Sequence, residues 1–230
     1  MTSPDDLTPG DDILGSLLAG RDPALDDGGR DPHAGHAHAQ GATADVSVRP
    51  AIPEDAPLIG ALQARSWRAA LADLLPAESL AALDADAFTA SWHAAITAPP
   101  SPEHRVLTAC AGAEVVGFVA FVPAAVDEAA VDEAAPGATR AGAGAGAEIL
   151  SLEVDVDHTR EGHGSRLLAA CADTVRDGGG TKIQTWARDG DEARTRFLSS
   201  AGFAPAGVRR TLDVPDARAP LVEIAWYAAL

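Results

Sequence analysis

The 230-residue chain predicts a mixed α/β layer fold, an antiparallel N-terminal sheet joined to a parallel pair and flanked by helices. Three observations point there. Short apolar runs alternate with segments whose apolar residues recur every three or four positions. Two runs meet across a short Gly-containing turn, the pattern of a hairpin. A later run passes through a glycine-punctuated turn into an amphipathic helix and then another run, which is a parallel step.

The elements follow in order. Residues 46–49 read as a short strand. Pro53, Glu54 and Asp55 open a helix to about residue 71, with proline and acids where a first turn favours them. A second helical stretch puts Phe88, Trp92 and Ile96 on one face. Residues 105–110 and 114–122 form the hairpin, and 149–156 the next strand. Residues 165–176 make a helix with Leu167, Leu168, Cys171 and Val175 inward, stopped by Gly178, Gly179 and Gly180. A strand at 182–187 precedes a helix at 191–201, with Asp191 as N-cap and Gly202 as terminator. Strands at 208–214 and 221–228 close the chain.

Two segments stand apart. Residues 1–45 are rich in Asp, Gly, Pro and Ala and cannot bury enough surface to offset ordering entropy, so a disordered tail with at most a short helix at 13–18 is expected. His33, His36 and His38 cluster there, but no Cys or acidic partner completes a metal site, and none is expected. Residues 124–147 repeat AAVDE and then run into a Gly-Ala tract, the composition of a mobile loop between strands. The globular domain is therefore 46–230 with an insertion at 124–147.

The formal charge is −17; nine Asp and two Arg place −7 of it in residues 1–45 and −10 in the rest. That sign disfavours nucleic acid and anionic membranes as partners and favours a cationic substrate or plain solubility. Cys110 and Cys171 fall in apolar patterns and read as buried free thiols. With no long apolar run and an acidic start, a cytoplasmic protein is the expectation. An exposed closing strand would offer an edge for a homodimer.

Chemistry concentrates at Thr159-Arg160-Glu161-Gly162-His163-Gly164-Ser165, between a strand and a helix. Gly162 and Gly164 let a ligand approach the backbone, and the helix start supplies unpaired N–H groups and the positive end of its dipole. Arg160 adds a mobile cation and Ser165 a hydroxyl, so the turn suits a diphosphate. On the preceding strand Leu152, Val154 and Val156 share one face, and Ser151, Glu153 and Asp155 the other. A dinucleotide-binding oxidoreductase would want a third glycine where Leu167 stands.

The turn resembles the acetyl-CoA loop of the GNAT acetyltransferase family, Arg/Gln-x-x-Gly-x-Gly/Ala at a helix start. Gly162 and Gly164 take the glycine positions, Thr159 replaces Arg/Gln, and Arg160 comes one place late. VRPAIPEDAPLI at 48–59 is similar to the family's first strand and helix, EVVGFVAF at 114–121 to its third strand, and RFLSSAGF at 196–203 to its late Phe-Tyr-x-x-x-Gly-Phe helix end.

The resemblance implies an acetyl-CoA-dependent N-acetyltransferase acting on a primary amine by direct attack in a ternary complex; a catalytically silent acyl-CoA-binding module is the alternative. It implies a sheet splayed between strands 149–156 and 182–187, with the pantetheine arm paired to the backbone of Leu152, Val154 and Val156. Main-chain amides of Glu161 to Ser165, with Thr159 and Arg160, would hold the diphosphate, and Asp191 stands where the family often has an Asn on the arm. Glu153, beside the acetyl end of that path, is the candidate base. Leu198 occupies the position of the family's usual Tyr acid, leaving Tyr227, the chain's one tyrosine, or water as the proton source. Substrate selection is expected from RSWRAALADLLP at 65–76, where Trp67 faces an acceptor or the core and Asp73 could hold a cation; Trp186 is a further wall. Trp92 reads as core.

Overall fold

The computed structural model describes residues 46–125 and 145–230. One seven-stranded sheet runs in the order β1-β2-β3-β4-β5-β7-β6. Its strands are β1 Val46–Pro50, β2 Arg105–Ala111, β3 Glu114–Ala125, β4 Ala145–Val154, β5 Lys182–Arg188, β6 Ala204–Leu212 and β7 Leu221–Ala229. Neighbours are antiparallel except β4 and β5, whose parallel register covers only Gly146–Ile149 against Lys182–Thr185. Beyond Ile149 the two strands part, β4 keeping β3 and β5 keeping β7. The predicted fold class and its split sheet are both present.

The sheet is covered on both faces. On one, helix α4 (His163–Asp177) and helix α5 (Glu192–Ser200) bury Leu167, Leu168, Cys171 and Leu198 against Val119, Ile149, Leu152, Ile183 and Trp226. On the other, helix α1 (Ala56–Ala70) and helix α3 (Ala85–Thr97) bury Ile59, Leu62, Phe88 and Trp92 against Phe118 and Ala120. Trp92 stands edge-on to Phe118, and its Nε1 donates to Gln63 Oε1 at 2.5 Å, which satisfies the polar end of a core tryptophan. A short helix, α2 (Ala77–Ala81), links α1 to α3. Asp55, buried at the start of α1, receives two hydrogen bonds from Arg49 on β1 at 2.6 and 2.9 Å and one from the Ile52 N–H at 2.9 Å. Both cysteines are free and buried, and burial pushes the Cys171 thiol up to about 12.

Several expectations change. Strand β4 ends at Val154; Asp155 turns the chain, its carboxylate accepting from the Asp157 N–H at 3.2 Å, and Val156 opens a 3₁₀ turn, 73% exposed. The alternation of residues 151–156 continues through an Asp that caps a turn instead of extending a strand. Ala124, Ala125 and residues 145–147, expected in the loop, lie in β3 and β4, because pairing to neighbours overrides the weak strand propensity of Ala and Gly. The strand expected at 208–214 is displaced to Ala204–Leu212, with a bulge between Pro205 and Arg209. Strand β7 is flanked on both sides, so it offers no edge for a dimer; the edges belong to β1 and β6. The expected helix at 13–18, the His33, His36 and His38 cluster and residues 126–144 lie outside the described residues. Among the described residues no helix is long and apolar enough to cross a membrane.

Candidate functional site

Where β4 ends, the chain makes the 3₁₀ turn Val156–His158 and enters α4 through Gly162. Gly162 is the N-cap at φ 84°, a left-handed conformation that side chains rarely adopt, and a Cβ there would lie 2.9 Å from Arg166 Nη1. The helical ladder begins with the Arg166 N–H donating to Gly162 O at 3.1 Å. The N–H groups of His163, Gly164 and Ser165 therefore have no acceptor within the helix and point out of its positive end. Gly164 packs on α5, where an added Cβ would meet the Phe197 ring at 3.4 Å, an ordinary contact.

Side chains around the turn divide between support and exposure. Thr159 Oγ1 donates to Val156 O at 3.1 Å, and Arg166 Nη1 donates to Glu161 O at 2.9 Å. The His163 ring is turned inward, 1% exposed, with Nε2 3.3 Å from Glu161 Oε2 and its plane nearly perpendicular to the His158 ring. Its imidazole thus braces the turn, and only its main chain faces outward. Arg160, at φ 66°, and Ser165 are exposed.

The second component is the free edge of β4. Past Ile149 this edge has no strand partner, and Arg194 of α5 reaches across to donate from Nη1 to Leu152 O at 2.6 Å. Leu152 therefore directs its main-chain polar groups into the split, and Val154, two residues on, shares that orientation. Val156 does not, since it has left the strand. Asp191 caps α5, its Oδ1 accepting from the Arg194 N–H at 2.9 Å.

The split opens into a cavity of about 500 Å³ on the α1 side of the sheet. Glu153 lines it together with Asp191 and Arg194. Burial pushes the Glu153 carboxyl above its ordinary value; the nearby Arg194 charge and a hydrogen bond from the Ser66 hydroxyl pull the other way, and the Asp191 charge adds to the rise. This is the environment of a carboxylate that takes up a proton more readily than one in water. Asp155, on the same side, pairs with Arg65 of α1.

Strand β4 also sends Glu148 into this cavity, where it accepts from Gln184 Nε2 at 2.7 Å, and Ser151, whose buried Oγ has no hydrogen-bond partner. Trp67 does both things expected of it: it lines the cavity and packs edge-on to Phe88, ring centroids 5.3 Å apart. Trp186 is a wall, its ring covered by Arg210 at 4.2 Å, and Arg210 Nε donates to Glu223 at 2.6 Å. Asp73 is already bound to Arg188 at 2.8 Å and does not stand among the lining residues.

The structure thus brings Glu153, Asp191 and the free edge at Leu152 and Val154 to one split, with the turn Thr159 to Ser165 at its end. It does not bring Tyr227 there: that residue sits on β7 opposite Gln184, outside the cavity lining. Leu198 is fully buried in the core. Sequence reasoning missed Ser66, Glu148 and Arg194. Glu148 falls between the loop expected at 124–147 and the strand expected at 149–156, and Arg194 looks like any solvent-facing residue of a charged helix. Ser66, one turn from the end of α1, carries no local signal at all.

Comparison with known proteins adds the following. The sequence pattern described as the acetyltransferase (GNAT) family matches residues 67–203. No curated protein matches the chain in sequence. Solved structures do match in fold. One is the PaiA N-acetyltransferase of Thermoplasma acidophilum in complex with coenzyme A, at TM-score 0.59 and 15% identity, covering 80% of this chain and 99% of that one. Another is yncA of Salmonella typhimurium with its cofactor acetyl-CoA, at TM-score 0.56 and 18% identity, covering 81% and 95%. A third is the ribosomal-protein-alanine N-acetyltransferase of Brucella melitensis, at TM-score 0.56 and 17% identity, covering 80% and 99%.

Proposed function

The chain belongs to the acetyltransferase (GNAT) family and is an acyltransferase, and on that premise we propose that it moves the acetyl group of acetyl-CoA to a primary amine by direct attack with both substrates bound. We take residues 46–230 as the acetyltransferase domain. One observation carries the reading: the unpaired edge of β4 runs straight into the free N–H groups at the start of α4, with Glu153 on the same strand facing the cavity.

The residues fit the cosubstrate. Main-chain N–H groups from Gly162 to Ser165 match a diphosphate, with Arg160, Ser165 and the Thr159 and Glu161 backbone at the rim. The backbone of Leu152 and Val154 matches an extended amide-bearing arm, and Arg194 and Asp191 stand beside it. The cosubstrate supplies an activated acetyl thioester. Val156 has no part, because its backbone belongs to a turn.

Glu153 acts on the acceptor. An alkylamine of pKa ~10 is about 0.1% neutral at pH 7, so attack requires removal of a proton. A carboxylate with raised proton affinity, set in the cavity, can take that proton directly or through water. We assign protonation of the departing sulfur to water, since Tyr227 lies off the cavity and a thiol of pKa ~8.5 leaves tolerably well. Holding amine and thioester together supplies much of the remaining rate.

The test is calorimetry with acetyl-CoA on the full chain, followed by thiol detection on adding amines. Heat of binding and amine-dependent CoA release are expected. Binding without release under any amine would leave a silent acyl-CoA-binding protein, and no binding would remove the loop assignment.

A further inference from the structure

We propose that the acceptor is a compact primary monoamine with an apolar body, its nitrogen held at the β4 carboxylates and its body against α1 and the β6–β7 connection. This rests on the transferase reading above and names the substrate class of the same site.

The cavity has two unlike sides. Strand β4 contributes Glu148, Ser151 and Glu153, and Ser151 is 8% exposed with an Oγ that has no partner, a spare polar group between two carboxylates. The opposite wall is apolar, with Trp67 and Leu71 from α1 and Leu212, Val214 and Pro215 from the end of β6 and the turn after it. An amine entering this space meets acid at one end and hydrocarbon at the other.

Charge bookkeeping narrows the class. Five carboxylates and three guanidiniums line the cavity, which favours a cation over an acid-bearing acceptor. The guanidiniums are engaged: Arg188 with Asp73, Arg210 with Glu223 over Trp186, and Arg194 with Leu152 O. Glu223 is thereby spent. Asp213 is exposed at the rim. A second ammonium placed against Trp67, Leu71 and Val214 would be desolvated, with exposed Asp213 the one carboxylate on that wall. Long polycations therefore fit poorly, and an apolar body fits well.

The apolar wall is tied in place. The Arg218 N–H donates to Leu74 O at 3.0 Å, Arg218 Nη1 donates to Asp73 O at 3.1 Å, and Ser79 Oγ donates to Asp216 at 3.1 Å. These bonds tie the β6–β7 connection to the segment after α1 and to α2, which fixes the turn that carries Val214 and Pro215.

The experiment compares kcat/KM for butylamine, hexylamine, phenethylamine, spermidine, a lysine-containing peptide and an α-amino acid, using the full chain, acetyl-CoA and thiol detection. Hexylamine and phenethylamine are expected to lead the others by at least about tenfold, with each methylene from butylamine adding up to about fourfold. A lead by spermidine, the peptide or the amino acid, or no dependence on chain length, overturns the proposal while leaving the transferase reading intact. Acetyl-CoA binding without turnover of any amine overturns both. Val214→Asp, in a half-buried turn position, is expected to cost hexylamine about tenfold or more and to improve spermidine. Trp67→Ala is expected to lower phenethylamine more than butylamine. An unchanged ranking in a folded Val214→Asp protein refutes the apolar wall.

Discussion

The two halves of β4 use the same backbone differently. Gly146–Ile149 is paired on both edges, to β3 and to β5, and is fixed further by Thr185 Oγ1 donating to Ile149 O at 3.2 Å. After a bulge at Leu150, Ser151 to Val154 is paired only to β3, and its other edge meets a side chain, Arg194 at Leu152 O. A main-chain group inside a sheet wants a partner. The first half has met that demand within the sheet, whereas the second leaves it open along one edge. The lesson is that an accessible edge can be made by stopping a ladder early, provided the other edge remains anchored.

The sharpest way to break this contrast is Glu153→Gln on the open half. Turnover is expected to fall by ~10²–10⁴, with acetyl-CoA affinity retained. Burial raises the Glu153 proton affinity, so the wild-type rate should fall off with decreasing pH above the ordinary carboxylate range, and that acid limb should vanish in the variant. A pH–rate profile decides it, with Glu148→Gln run in parallel; an acid limb that survives in Glu153→Gln and is lost in Glu148→Gln would move the base to Glu148.

At the end of the open half, Gly162→Val forces a side chain into φ 84° and toward Arg166. Acetyl-CoA affinity is expected to fall ~100-fold by calorimetry, and the cost to stability should be about 1–3 kcal/mol. Unchanged affinity would detach the turn from the binding edge.

Arg194→Met removes the side chain that tends the open edge. The sign follows from its charge: the guanidinium lowers the Glu153 proton affinity, so its loss should move the acid limb to higher pH. A structural role alone would reduce activity and leave the limb in place. The smallest effect belongs to the closed half. Thr185→Val deletes one buried hydrogen bond, so about 1 kcal/mol and ~2–4 °C in Tm should be lost, with acetyl-CoA affinity untouched.

Much of this arrangement was legible in the chain. The glycine turn that opens α4 is local: two glycines, a strand before and a helix after are neighbours in sequence, so their geometry follows from backbone chemistry. Glu153 was legible because strand alternation puts it opposite the core residue Leu152. Val156 misled because alternation carries no information about where a strand stops, and Asp155 stops it. Tyr227 drew attention by its rarity, which places nothing in space. Glu148 was obscured by alanine and glycine neighbours that only pairing to β3 and β5 makes into strand.

By itself the sequence determined the alternating layers, the glycine turn that opens α4 and the carboxylate on the strand before it, because each depends on residues a few positions apart. Tertiary structure alone decided where β4 and β5 part, that Arg194 reaches Leu152 and Ser66 reaches Glu153, and that α1 and the β6–β7 connection roof one cavity. Those contacts join residues 42 to 145 positions apart, and no local propensity encodes such meetings.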